Sequence, residues 1–225
     1  MANKVLAGVA DRVFTAFPKV MKNASWVGNP LRDAFGQCPP PTTRFASREG
    51  PLRLLIVGGS LGAGVLNEAV PRAIAQLPCD QRPVITHQSG KAHLHSLEAR
   101  YASFDVGATV VPFIDDMASA FAAADLVICR AGASTVTEVA AVGVACLFVP
   151  LPSAVDDHQT ANAKYLAQHD GAWLMPQSQL TPEALATFIQ NLTRERLTKL
   201  AQNAYTLRKM DAVKVIVDHT AQIAS

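Results

Sequence analysis

From residue 53 onward the chain alternates short apolar runs with longer stretches in which apolar positions recur every three or four residues. Arg53 to Val57 (RLLIV), Val84 to His87 (VITH), Ala108 to Pro112 (ATVVP), Leu126 to Cys129 (LVIC) and Ala145 to Val149 (ACLFV) read as strands, with a weaker sixth at Ala172 to Met175. These runs are apolar throughout rather than at every second position, so both faces of each strand are expected to be buried, as in a parallel sheet covered on each side by helices. Helical periodicity fills the intervals at 63–77, 92–103, 117–124, 134–142 and 157–169, and two or three further helices are predicted across 181–223. The repeated strand and helix order predicts an α/β fold, a doubly wound, Rossmann-like parallel sheet with right-handed crossovers.

Upstream of residue 51 the pattern changes. Val5, Leu6, Val9, Val13, Phe14 and Phe17 are spaced as on one face of a helix over 3–17, and Asp11 with Arg12 interrupts any run long enough for a signal peptide. The Pro-rich, polar segment 36–50 holds three consecutive prolines, which argue against a helix, and reads as a surface connection. The chain thus divides into 1–35, the tail of a preceding unit, a loop at 36–50, and a main domain at 51–225. With 225 residues, 49% of them hydrophobic and 17% charged, it can bury a sizeable core and is not disordered. A net charge of +2 supplies no electrostatic footprint for nucleic acid. The basic residues crowd the first hundred positions, a bias that an anionic membrane surface could use but that scattered solvated charges explain better. Cys38, Cys79, Cys129 and Cys146 show no metal-ligand spacing and read as free thiols. The longest uncharged stretch, between Glu138 and Asp156, is broken by Gly143, Pro150 and Pro152, so no transmembrane helix is predicted.

In a doubly wound sheet, ligands bind at the carboxyl ends of the strands, so the loops there are the place to look for chemistry. After the first strand, Gly58-Gly59-Ser60-Leu61-Gly62-Ala63-Gly64 offers backbone N–H groups and a helix dipole that suit a phosphate, or else only a tight turn. Gly62-Ala63-Gly64 is not a Walker A ending, and a dinucleotide fingerprint fails because position 67 is Asn and no acidic residue follows the second strand. After the fourth strand come Arg130-Ala131-Gly132-Ala133-Ser134-Thr135-Val136-Thr137-Glu138. Ser134 or Thr135 can cap the next helix, and Glu138, expected near its first turn, suits either a capping box or the two hydroxyls of a ribose. Asp156, Asp157, His158 and Gln159 either cap the following helix or face a sugar. His87 is a possible base or a packing residue, and neither Ser60 nor Ser89 sits in the frame of a hydrolase nucleophile elbow.

Taken in order, the Gly58 loop, His87-Gln88-Ser89-Gly90-Lys91, Phe113-Ile114-Asp115-Asp116-Met117, the Arg130 to Glu138 run, Asp156-Asp157-His158-Gln159-Thr160 with Asn162-Ala163, and Val27-Gly28-Asn29-Pro30-Leu31-Arg32 resemble the donor-binding, C-terminal half of the MurG family. These are bacterial GT-B transferases that move N-acetylglucosamine from UDP-GlcNAc to lipid I, making lipid II for peptidoglycan. The resemblance implies that Ser60 faces the diphosphate, Ile114 meets the uracil through its backbone, Glu138 holds the ribose, and Ala133, Ser134 and Thr135 approach sugar and phosphates. It further implies that Gln159 contacts the N-acetylglucosamine and Arg32 lines the nucleotide end. Leu61 and Ser153 depart from the residues frequent in the family. The implied reaction is inverting and uses no metal or other cofactor, in agreement with the absence of an Asp-x-Asp motif. Family members are much longer, so the acceptor-binding half with its catalytic residues is expected outside this chain, making it a fragment or a split product that binds donor but is inactive alone. Implied partners are UDP-GlcNAc, lipid I through the other half, and the cytoplasmic face of the inner membrane as a peripheral protein, or the cytoplasm if the chain stands alone. The rivals are a UDP-GlcNAc 2-epimerase and a non-catalytic UDP-sugar-binding module.

Overall fold

A computed structural model describes residues 5–59, 62–152 and 157–224. Its elements are β1 (Phe14–Thr15), β2 (Ser25–Trp26), α1 (Asp33–Gly36), α2 (Pro41–Ala46), β3 (Arg53–Val57), α3 (Gly64–Ala75), β4 (Val84–Gln88), α4 (Leu94–Ser103), β5 (Thr109–Val111), α5 (Met117–Ala123), β6 (Leu126–Cys129), α6 (Ala133–Val142), β7 (Ala145–Phe148), α7 (His158–Ala167), β8 (Trp173–Leu174), α8 (Pro182–Gln190), α9 (Arg194–Thr206) and α10 (Ala212–Ala224). Strands β3 to β8 form one six-stranded parallel sheet in the order β5-β4-β3-β6-β7-β8. The order runs outward from β3 in one direction and then from β6 in the other, so the chain reverses between those two strands, where a doubly wound sheet opens its crevice.

The absence of alternation in the strands has a direct structural cause. Leu54 and Ile56 of β3 belong to a core layer shared with Leu66, Ile74, Leu97 and Leu185, while Leu55 and Val57 point into a second layer with Phe121, Val136, Val139 and Leu166. Every position of β6 and β7 is buried. Covering a sheet on both faces removes the polar face that would otherwise mark a strand.

Two upstream expectations are corrected. The helix over 3–17 does not form as such: Phe14–Thr15 is a strand that pairs in parallel with Ser25–Trp26. Val5, Leu6 and Val9 stay exposed at 69, 61 and 82%, so the apolar stripe has no surface to pack on, and a short helix without packing is not stable. Phe17 instead buries itself beside Tyr165, and Trp26 stands edge-on to the same ring at 5.9 Å. The second correction concerns 36–50, which holds α2. Pro41 occupies the first turn of that helix, where its missing N–H has no intrahelical partner to lose and its fixed φ is already helical.

This short helix also closes one edge of the sheet. Arg44 donates to the carbonyls of Ala122 and Val142, and Arg48 donates to those of Ala122 and Ala124, so the C-termini of α5 and α6 receive guanidinium donors where their orphan carbonyls and negative dipole ends lie. Burial and the neighbouring Arg48 lower the Arg44 pKa to about 10, which leaves it charged at neutral pH. Asp125, wholly buried, pairs with Arg48 at 2.5 Å, accepts the Arg53 backbone N–H at 2.8 Å and lies 3.7 Å from Arg194. None of the described helices is long and apolar enough to cross a membrane.

Candidate functional site

The opposite, carboxyl edge of the sheet is built to leave backbone groups open. The loop after β3 folds back with Gly62 N–H bonded to Gly59 O at 3.0 Å, and both glycines have positive φ, +80° and +75°. A side chain at Gly62 would place its Cβ 2.2 Å from the Ser89 carbonyl oxygen, whereas one at Gly59 would meet nothing within 4 Å. Gly62 therefore presses against the end of β4, while Gly59 faces open space. Helix α3 starts at Gly64 behind Ala63, and α6 starts at Ala133 behind Gly132, neither with a side-chain cap. By contrast α5, on the same edge, is capped by Asp116, whose carboxylate accepts the Ser119 N–H at 3.0 Å. Two helix N-termini thus keep orphan N–H donors and positive dipole ends at the crevice, the arrangement that receives an anion.

Helix α6 removes the capping reading of its residues. Because Gly132 holds the N-cap position, Ser134 and Thr135 lie inside the first turn and cap nothing, and Glu138 falls in the second turn, beyond the position that a capping box uses. The placement of Glu138 at the helix start, and the capping role for all three, are thereby corrected. Glu138 is half-buried, and burial raises its pKa while the Arg32 guanidinium pulls it back. Arg32 likewise helps to hold Asp116 low, after that residue's hydrogen bonds to Ser119. The upstream segment that carries Arg32 is tied to α6: Asn29 Nδ2 donates to Thr137 Oγ1 at 2.9 Å, and Thr137 in turn donates to Ala133 O. Ile114 is half-buried and packs on the same core layer as Leu31.

Gln159 bridges two loops. Its Oε1 accepts the N–H of Ala131 at 3.2 Å and of Leu151 at 3.0 Å, while Asn162 donates to Ala131 O at 3.1 Å. Arg130 fastens the same junction by donating to the carbonyls of Val149 and Pro150. The supporting roles of Asn29, Arg130 and Asn162 were not assigned from sequence; the signal was present as polar residues embedded in otherwise small or apolar motif stretches. Asp157 stands at the N-cap position of α7 without a side-chain cap bond. Ser60, Leu61, Ser153 and Asp156 lie outside the described residues.

The structure places Ile114, Ala133, Ser134, Thr135, Glu138 and Gln159 in the loops and helices that follow β5, β6 and β7, with Arg32 coming from the upstream segment. It does not bring His87 there as a base. That imidazole is completely buried, its Nδ1 lies 2.9 Å from Tyr101 Oη, and burial lowers its pKa to about 3, so it is a neutral packing group between β4 and α4. No cluster of His, Cys, Asp or Glu with metal-binding geometry occurs among the described residues. A cavity of about 200 Å³ lined by Leu52, Leu77, Pro83 and Ile189 lies at the amino edge, away from these groups, and carries no titratable side chain.

Residues 53–218 match the family described as Glycosyltransferase family 28 C-terminal domain. Over its whole length the chain is 57% identical to the UDP-N-acetylglucosamine--N-acetylmuramyl-(pentapeptide) pyrophosphoryl-undecaprenol N-acetylglucosamine transferase of Paracidovorax citrulli and spans 63% of that relative. The equivalent enzyme of Polaromonas naphthalenivorans is 58% identical over 224 residues, with 62% of its length spanned. The crystal structure of MurG from Acinetobacter baumannii superposes with a TM-score of 0.88 at 42% identity, covering 99% of this chain and 63% of that one.

Proposed function

The chain belongs to the glycosyltransferase family 28 C-terminal domain family, and from that premise we propose that it is the donor-binding part of an inverting N-acetylglucosaminyltransferase that uses UDP-GlcNAc and lipid I. It spans less than two thirds of the curated relatives it matches, and we assign the positioning of lipid I to the part of those relatives that it does not span. The observation that carries the reading is the pair of uncapped helix N-termini, α3 and α6, set on either side of the crevice with half-buried Glu138 beside them.

In this reading the diphosphate rests on the N-termini of α3 and α6, and the leaving UDP is stabilised by fixed N–H donors and two helix dipoles as the anomeric bond breaks. Glu138 accepts both ribose hydroxyls as a carboxylate, with Arg32 holding it ionised. Ile114 addresses the uracil edge through its backbone. Ala133, Ser134 and Thr135 line the approach of phosphates and sugar. Gln159, its Oε1 committed to two backbone amides, offers its amide N–H₂ to the N-acetylglucosamine. Transfer additionally requires the acceptor hydroxyl and a base within about 3–3.5 Å of the anomeric carbon. Membrane association, as a peripheral protein on the cytoplasmic face, belongs to the same proposal.

Calorimetric titration of the purified chain with UDP-GlcNAc, UDP-GalNAc and NADH tests it. Selective binding of UDP-GlcNAc is expected, and its loss in Gly59→Val, where a Cβ has no protein atom within 4 Å but stands where the ligand approaches and where the positive φ, +80°, strains the loop as well. Binding of NADH, or of none of the three, would overturn the reading.

A further inference from the structure

We propose that Asn67 is a positioning residue for the phosphate loop: from the first turn of α3 it fixes the end of β4 against Gly62, and so sets where the Gly62 end of the loop and the first N–H groups of α3 stand. The inference rests on the diphosphate assignment above and deepens it.

Three segments meet at a single oxygen, the Ser89 carbonyl. Asn67 Nδ2 donates to it at 3.1 Å, and the same oxygen lies 2.2 Å from the point that a Cβ on Gly62 would occupy. Ser89 is itself anchored to β5, its N–H bonding Val111 O at 2.9 Å and its hydroxyl directed to Gly90 O and Val111 O. The backbone N–H of Asn67 bonds the carbonyl of Ala63, the residue from which α3 departs, at 2.9 Å. One residue therefore closes the first turn of the helix with its main chain and ties that turn to the neighbouring strand with its side chain. The loop is held between the two.

Asn67 is only 7% exposed, and its Oδ1 has no hydrogen-bond partner among the described residues. A buried unsatisfied amide oxygen is unfavourable, and leucine, with the same branched shape, would carry no such penalty among buried neighbours such as Leu66 and Val70. What leucine cannot supply is the donor to Ser89. In dinucleotide-binding folds a glycine at this place in the helix permits close approach of helix and strand. Here the contact is a hydrogen bond instead, which fixes a distance where a glycine merely allows one.

The test is calorimetric titration of the full chain with UDP and with uridine, which differ in the diphosphate. In Asn67→Ala the Kd for UDP is expected to rise about tenfold, the effect of stranding one buried partner, while the Kd for uridine stays within about twofold. Asn67→Asp presents an acceptor to the Ser89 carbonyl when ionised and a donor when protonated. Its preference for UDP over uridine should be low near pH 8.5 and recover towards the wild-type value at about pH 5.5, with wild-type titrations at each pH removing the ligand's own ionisation. A Kd for UDP unchanged in Asn67→Ala, a parallel fall for both ligands, or no acid recovery in Asn67→Asp would overturn the proposal. A wild-type chain that binds UDP no better than uridine would instead defeat the diphosphate assignment itself, and the role of Asn67 with it.

Discussion

The two edges of the sheet solve the same problem in opposite ways. At the amino edge, the carbonyls ending α5 and α6 are taken by Arg44 and Arg48, Asp125 is surrounded by guanidinium and backbone donors, and α9 begins on the side chain of Thr193, whose Oγ1 accepts the Arg196 N–H. At the carboxyl edge, α3 and α6 begin without a side-chain cap, and Asn67 and Gln88 each keep a buried polar atom with no partner among the described residues, as Arg194 Nε does at the amino edge. The difference separates an edge whose helix ends are closed by side chains from one whose helix starts are left open, the edge to which we assign the ligand.

The largest perturbation should come from opening the finished edge. Asp125→Asn leaves the Arg48 guanidinium buried without its counter-charge and is expected to cost about 3–5 kcal/mol in urea unfolding. Among molecules that remain folded, the ratio of UDP to uridine affinity should not change; a selective loss of UDP binding would mean that the two edges are not separate in function.

Glu138→Gln probes the open edge with a smaller effect. UDP binding should weaken by about 1–3 kcal/mol, the worth of hydrogen bonds to a charged group, with the melting temperature within a few degrees of wild type. The pH dependence has two signs. Folding raises the Glu138 pKa, so its contribution to stability is present in acid and lost as pH rises through the raised value. Ribose binding needs the carboxylate, so uridine affinity should fall as pH drops through that same value, a limb that Glu138→Gln removes. Retention of the acid limb in the variant would detach Glu138 from the ribose.

The finest distinction lies between two hydroxyls of similar sequence context. Thr193→Ala should cost about 1 kcal/mol as a lost cap, and Ser134→Ala less than about 0.5 kcal/mol, since Ser134 is exposed and caps nothing. Equal costs in thermal unfolding would erase the contrast between closed and open helix starts.

Strands β3, β6 and β7 were legible because burial on both faces leaves an unbroken apolar run, and their ends agree with the sequence reading to within a residue. The errors arose where local pattern and tertiary partner part company. Residues 3–17 carry helical spacing, but Val5, Leu6 and Val9 find no surface, and Phe14 pairs as strand instead. Pro41 was read as a helix breaker, a role that holds in a helix interior and not at its first turn. At the site, the glycine loop and the small residues before Glu138 suggested a place for an anion or only a tight turn, and the structure adds two uncapped helix starts beside them. Which turn of α6 carries Glu138 depended on a helix start that shifted by one or two residues. The link from Asn29 to Thr137 crosses 108 positions, and no local pattern encodes it.

The placement of the aromatic residues has an optical consequence. Trp26 stands edge-on to Tyr165 beneath the Lys209 ammonium, 4.7 Å from its ring centroid, on the upstream segment, while Trp173 packs edge-on to Phe188 at 5.1 Å against α8. These are the chain's two tryptophans. Each reports a different attachment, and a Trp173→Phe variant turns the fluorescence of Trp26 into a direct signal of whether the segment that delivers Arg32 is docked or has peeled away.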